Sequence, residues 1–322
     1  MSTPRKHHYL PQFYLEGFKI EPQTGKKPHI WQIEKSADQV HYSPAIEDTG
    51  CIRDYHSLDV ADEDPDHKII EGLLSNLEAE QAELVRTIRR TKRIDASQVE
   101  PLSSFISQMR YRVPAFAGHI EKSLRSVVLD TFKIMYHAGE FRTPSPQLRK
   151  MFDSKGIDDS LHVSISNWKI LSHMFGVGLG SESIGLLAEY NYHFYSAENA
   201  SFFVTSDNPV ALYHPNYDKI RPYGVGLAMK GVEVTLPLMS SDILIRPGRE
   251  LKPGASVASV EEVEEFNRRT IVMSERYVFA NVVSTELRRR IGELKDVRAG
   301  FAFDNLFHGD GSVHVSRFIP VQ

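Results

Sequence analysis

Ser201-Phe202-Phe203-Val204-Thr205-Ser206-Asp207-Asn208-Pro209-Val210-Ala211-Leu212-Tyr213 sets two short β-prone runs, 201–205 and 210–213, around an Asp-Asn-Pro turn. Aromatic and β-branched side chains suit a pleated, half-buried strand. Asp and Asn can bond nearby backbone groups and proline fixes the exit, so the middle of the stretch reads as a turn. The same pattern continues on both sides. Residues 191–196, 232–236 and 242–246 are short, apolar and separated by Gly, Pro or Asn. Residues 277–283 read as a buried strand, and 313–321 alternate like an edge strand. Between them, 259–273 carries Val260, Val263, Phe266 and Ile271 on one helical face.

Upstream the period changes from two to 3.6. Asp64-Pro65 offers an N-cap oxygen and a proline suited to a first helical turn. Ile69, Ile70, Leu73, Leu74, Leu77, Leu84, Val85 and Ile88 then recur at helical spacing, which predicts one buried face. Arg86, Arg89, Arg90, Lys92 and Arg93 suit the negative end of that helix, and as a cluster they read as a solvated helix end or a phosphate-binding patch. Ser97-Gln98-Val99-Glu100 has capping-box spacing, and a stripe runs from Leu102 through Phe105, Ile106, Met109, Val113 and Ile120 to Met135. Pro114 must kink or split it. Thr143-Pro144-Ser145-Pro146 reads as a stop, 164–175 as a further helix, and Gly176, Gly178 and Gly180 as its poor continuation. Before all this, the alternation in 27–33 predicts a strand, and 59–66 an acidic loop.

Helices and strands that segregate along the chain predict an α+β fold: a helical middle segment packed against a mostly antiparallel, strand-rich C-terminal half. The expected organisation is one unit over residues 1–322, with an N-terminal arm and strands (1–60), a helical region (64–185) and a strand-rich region (190–322). With 38 Lys+Arg against 42 Asp+Glu, the formal charge of -4 excludes a global cationic field for nucleic acid, though not a local patch. Cys51 is the single cysteine, so neither an internal disulfide nor a thiolate metal cluster can form. The start, 1–8, is polar and basic, with no secretory leader evident and no run of about eighteen apolar residues anywhere. A cytoplasmic location is expected, with no membrane partner.

Candidate chemistry is sparse. Adjacent histidines His7 and His8 in Arg5-Lys6-His7-His8-Tyr9 would point to opposite sides of an extended backbone, so only one can face a site. Asp207 at a strand end can bind a hard cation such as magnesium, act as a base, or simply hold a turn. Glu233 could supply a second carboxylate, but the lysine of a metal-nuclease pattern is missing. Arg112 and His119 lie seven apart, the spacing of a helical ribonuclease pair if the helix passes Pro114. Phosphate-loop, dinucleotide, zinc-protease and nucleophile-elbow signatures are missing.

Together these residues carry a resemblance. His7-His8-Tyr9-Leu10-Pro11-Gln12-Phe13-Tyr14-Leu15 with Phe18, Gln108 and Arg112-Val113-Pro114, and Phe203 to Val210 followed by Leu236-Pro237-Leu238, resemble a bacterial family known as domain of unknown function 4238. The resemblance implies no activity. It does gather His8, Gln108, Arg112, Asp207 and Asn208, polar residues far apart in sequence that folding could assemble into a site; His119 and Glu233 lie outside it. Two functions are expected from different classes. One is a hydrolase-like enzyme acting on a phosphate-bearing small molecule or nucleic acid. There His8 is general base or metal ligand, Asp207 the metal-binding or orienting carboxylate, Arg112 a phosphate ligand, and Gln108 and Asn208 position the substrate; a divalent metal would be its cofactor. The other is a non-catalytic binding or interaction protein, in which the motifs pin the N-terminal arm to a turn. The residues name neither substrate, pathway nor oligomeric state.

Overall fold

The computed structural model describes residues 6–21, 27–58, 69–140, 145–189, 191–198, 200–217, 224–248, 252–308 and 311–321. The expected Asp64-Pro65 start, the 59–66 loop and Thr143-Pro144 lie outside them. The arm holds β1 (Lys6–His8) and α1 (Gln12–Leu15), then β2 (Trp31–Glu34), β3 (His41–Tyr42) and β4 (Cys51–Arg53). The helical middle comprises α2 (Ile69–Thr91), α3 (Ala96–Tyr111), α4 (Pro114–His137), α5 (Pro146–Lys155), α6 (Ile157–Ser160), α7 (Asn167–Gly178) and α8 (Ser181–Ala188). Then come β5 (His193–Ala197), β6 (Thr205–Ser206), β7 (Ala211–Tyr213), β8 (Glu233–Met239), β9 (Asp242–Arg246), β10 (Gly254–Ala258), α9 (Val260–Met273), β11 (Tyr277–Ala280), α10 (Thr285–Glu293), and the hairpin β12 (Gly300–His308) and β13 (Gly311–Ile319). The fold is α+β, with helices in the middle and largely antiparallel sheets behind.

Two larger sheets divide the strands. One runs β10-β5-β9-β8-β7, antiparallel apart from the β10–β5 pair; the other runs β3-β2-β11-β6 and is antiparallel throughout. Strand β2 of the arm therefore pairs with β11, Trp31 opposite Ala280 and Glu34 opposite Tyr277. The Asp207-Asn208-Pro209 turn follows β6 in one sheet and leads to β7 in the other, so it is the crossover between them. A ladder over 201–204 does not form: the Phe203 amide bonds the Ser240 carbonyl at 2.8 Å, and the Val204 amide bonds Asn267 Oδ1 at 2.9 Å. The 313–321 edge strand is in fact one arm of the β12–β13 hairpin.

The helical readings shift in instructive ways. Pro114 splits the stripe: α3 ends at Tyr111, and α4 restarts with the proline in its first turn. The capping box ahead of α3 uses Asp95 and Gln98, two residues earlier than Ser97 and Glu100. Beyond Ile120, α4 runs along the surface, with Val127 and Ile134 exposed. Helix α2 buries Leu74, Val85 and Ile88 but leaves Ile69 and Leu73 exposed. Helix α7 runs past Gly176 and ends at Gly178, which packs against Tyr111 and the α3 backbone, before α8 starts at Ser181. The segment Asn167–Ala188 is long and apolar enough to cross a membrane, with mean hydropathy 1.2, but it breaks at 179–180 into α7 and α8, both packed on α3.

One hydrophobic core joins the three regions: Tyr14, Leu15 and Phe18 of the arm, Val85, Ile88, Phe105 and Met109 of the helices, and Leu236, Leu238, Leu244 and Phe279 of the strands. Arg89, read above as a solvated helix-end cation, turns into this junction. Its Nη1 donates to the Phe13 carbonyl at 2.8 Å, Nη2 to Tyr14 O at 2.8 Å and Leu238 O at 2.6 Å, and Nε to Leu238 O at 3.0 Å. Helix α2, the arm and β8 are thereby tied by one side chain. Truncating it strands carbonyls of two elements, so Arg89→Ala is expected to cost about 3 kcal/mol. Arg89→Lys should recover less than half of that, since an ammonium cannot span the same three acceptors. Urea unfolding measures both; a loss below about 1 kcal/mol for the alanine variant would make the staple incidental.

Candidate functional site

Strand β1 lies antiparallel to β4, with His7 opposite Ile52 and His8 opposite Cys51. Strand alternation separates the two histidines as expected. His7 is the inward one, fully buried, and His8 is half-buried on the other face. Burial pulls the His8 imidazole below its ordinary value, and its Nε2 has no hydrogen-bond partner. His7 meets His56, with rings stacked at 5.5 Å, and the His56 amide donates to His7 Nδ1 at 2.8 Å. Glu71, in the first turn of α2, lies 2.6 Å from His56 Nδ1 and 4.0 Å from His7 Nδ1. Neither His56 nor Glu71 was singled out from the sequence, since nothing local marks them.

Arg112 caps α3 beside this group. Its Nη1 donates to Glu78 Oε1 at 2.6 Å and its Nη2 to the His8 carbonyl, while the Tyr55 hydroxyl donates to the Arg112 carbonyl at 3.2 Å. The guanidinium thus holds β1 against α2, about two helical turns from Glu71. His8 and Arg112 do come together, but through the His8 backbone rather than its ring. Gln108 is buried on α3 and bonds Ser104 Oγ at 3.3 Å, leaving its Oε1 unpaired. His119 lies on the separate helix α4, where its Nε2 is 2.8 Å from Ser316 Oγ.

Asp207 is placed otherwise. Its Oδ1 accepts from the Glu275 amide at 2.9 Å, and its Oδ2 from Arg276 at 2.7 Å and Tyr277 at 2.9 Å. Burial pushes the carboxyl up to about 6, against these three donors, which favour the charged form. Both oxygens are engaged in holding the 275–277 turn to the crossover. Asn208 donates from Nδ2 to the Met273 carbonyl at 3.1 Å. Tyr9 links the two regions: it is edge-on to Tyr55 at 6.3 Å, and burial together with the Asp207 charge pushes its phenol upward. Glu233 faces away, ion-paired to Arg269 at 2.9 Å.

A cavity of about 310 Å³ opens where the α3–α4 break meets Asn208 and the terminal hairpin. Arg110 lines it, with Phe116, Glu275, Arg298, Phe301 and Phe318. Arg110 is 4% exposed, yet its Nε and Nη1 have no hydrogen-bond partner. Its guanidinium lies over aromatic faces instead, 4.4 Å from the Phe318 centroid and 5.3 Å from Phe301. Arg298 sits exposed at the rim opposite the exposed Glu275. The cavity therefore holds two cations against one carboxylate, beside Arg110 donors that no described residue takes up. Sequence reading passed over Arg110 for Arg112, two residues on; only the side-chain partners separate them.

His56 supplies a pH test. Burial pushes its imidazole down to about 4, while the bond to Glu71 works the other way and the Glu71 carboxyl is itself lowered. The unfolded chain takes up that proton near 6.5, so the stability present above 6.5 is lost as pH falls toward 4, by about 3 kcal/mol. Urea unfolding between about pH 7 and about pH 4 should show this slope in the native sequence, and His56→Gln should flatten it. No curated protein and no solved structure matches the chain. A family model described as "Protein of unknown function (DUF4238)" matches residues 6–283. The chain, whose arm, α3 end and crossover build this region, is a member of that family.

Proposed function

We propose that this protein binds a small organic anion in the Arg110 cavity. The observation that carries the reading is the buried guanidinium without an acceptor. An unpaired buried charge is costly, and a carboxylate or phosphate drawn against the guanidinium would offset that cost. Phe116, Phe301 and Phe318 supply an apolar wall for the rest of the ligand, and about 310 Å³ is room for a small molecule rather than a strand of nucleic acid. Of the two functional classes, recognition is favoured over hydrolysis. The described lining contains no histidine, cysteine, serine or threonine, and Asp207 gives both oxygens to backbone amides. A hydrolase with His8 as base would need that ring at the ligand. We read the location as the bacterial cytoplasm, where a single free cysteine is at home.

Removing the charge separates function from stability. Arg110→Met, which keeps the bulk, should stabilise the unliganded protein by about 1–2 kcal/mol, whereas a structural arginine would destabilise on the same change. Phenyl phosphate and benzoate should raise the thermal midpoint of the native sequence more than inorganic phosphate does, and should have no effect on Arg110→Met. A destabilised methionine variant that still responds to both ligands would overturn the reading.

A further inference from the structure

A second cluster stands apart from the anion cavity. We propose that His7, His56 and Glu71 form a binding site for a divalent transition metal, with zinc the expected ion. Among the described residues, this is the group whose ligand atoms converge, all within 4.8 Å of one another. The three come from separate elements: β1, the turn after β4 and the first turn of α2. Two imidazoles and one carboxylate are the donor set of zinc and its first-row neighbours, whereas magnesium and calcium take oxygen. Both histidines are fully buried, and Glu71, a third exposed, is the member that meets solvent.

The geometry needs little rearrangement. Ligand atoms around a tetrahedral zinc lie about 3.3 Å apart. The His56–Glu71 pair at 2.6 Å must widen and the His7–Glu71 pair at 4.0 Å must close. The ion would take the place of the proton between His56 Nδ1 and Glu71, and that proton would move to Nε2 of the same ring. The His56 amide already uses the Nδ1 lone pair of His7, and coordination there gives up that one hydrogen bond. Arg112 supports the site from behind, since its bonds to Glu78 and the His8 carbonyl fix β1, and with it His7, against α2. Three protein ligands leave a fourth position for water or an exogenous ligand, on the side where Glu71 reaches solvent.

The test uses the full chain, stripped with chelator and titrated with cobalt(II). Visible d–d bands should appear and saturate at one equivalent per chain, then vanish on adding one equivalent of zinc. Zinc alone should raise the thermal midpoint. Glu71→Gln can keep the hydrogen bond to His56, so the variant should fold while its affinity falls at least tenfold; His56→Ala should lose the cobalt spectrum. Arg110→Met should bind cobalt like the native sequence, so this result stands or falls separately from the anion site. Absence of cobalt bands and of zinc stabilisation in the native sequence overturns the proposal, as does one-equivalent binding that survives unchanged in both Glu71→Gln and His56→Ala.

Discussion

The Arg89 guanidinium is the contact on which the rest of the molecule leans. Its donors reach the carbonyls of Phe13, Tyr14 and Leu238, so the end of α2, the arm and the central strand β8 share one fastening. The fastening requires backbone to approach backbone. A Cβ on Gly17 would fall 2.5 Å from the Leu238 carbonyl oxygen and 2.6 Å from Arg89 Nη2, which only glycine avoids. The Ser240 amide then bonds the Gly17 carbonyl at 2.9 Å, and the Tyr14 hydroxyl donates to the Pro237 carbonyl at 2.9 Å. Once residues 13–18 are seated, β1 is delivered beside α2, where Arg112 takes its carbonyl. The arm is held at both ends by arginine.

Buried cations elsewhere follow the same rule. Lys35 donates to the carbonyls of Ile271 and Ser274 at the C-terminal end of α9 and to that of Val297 after α10; burial pulls it down to about 7 while those carbonyls and the helix dipole favour the ammonium. Arg246 bonds the Leu186 carbonyl at 2.7 Å, joining β9 to α8. Arg269 pairs with Glu233 and Glu265 and lies 3.8 Å above the Tyr213 ring centroid. Each converts the cost of burial into a link between elements. Arg110 alone among these has ring faces and no acceptor. A ring face returns part of what water gave a guanidinium, but it leaves the hydrogen-bond donors empty.

Elements whose signal is local were legible in the sequence. The Asp242–Arg246 strand, the helix over 259–273 and the break at Pro114 appear where their residues predict. Amphipathic surface helices were harder: α10 was not foreseen, because Leu287 and Ile291 are its buried residues among five charged ones. Strand β12 was missed for a similar reason, since its partner is a hairpin arm and its identity depends on pairing. At the site, the alternation of His7 and His8 was readable but not which one turns inward; that is set by Arg112 reaching over from another helix. Glu71 and His56 carry no motif, and their proximity exists only after β4 and α2 have packed. Side-chain partners, rather than residue types, separate Arg110 from Arg112, and no spacing rule contains them.

The pairing of β2 with β11 has a consequence for how the molecule comes into being. Trp31 and Ile33 leave the ribosome long before the strand that receives them, Tyr277–Ala280, is translated. The same holds for Tyr14 and Phe18, whose seat between β8 and the helices is completed only after residue 240. Contacts of such long sequence separation form slowly, and meanwhile the nascent arm displays a dense patch of aromatic surface. The arm is therefore made before the strands that shelter it, and a chain halted ahead of β8 would be a sticky fragment and a natural client for chaperones.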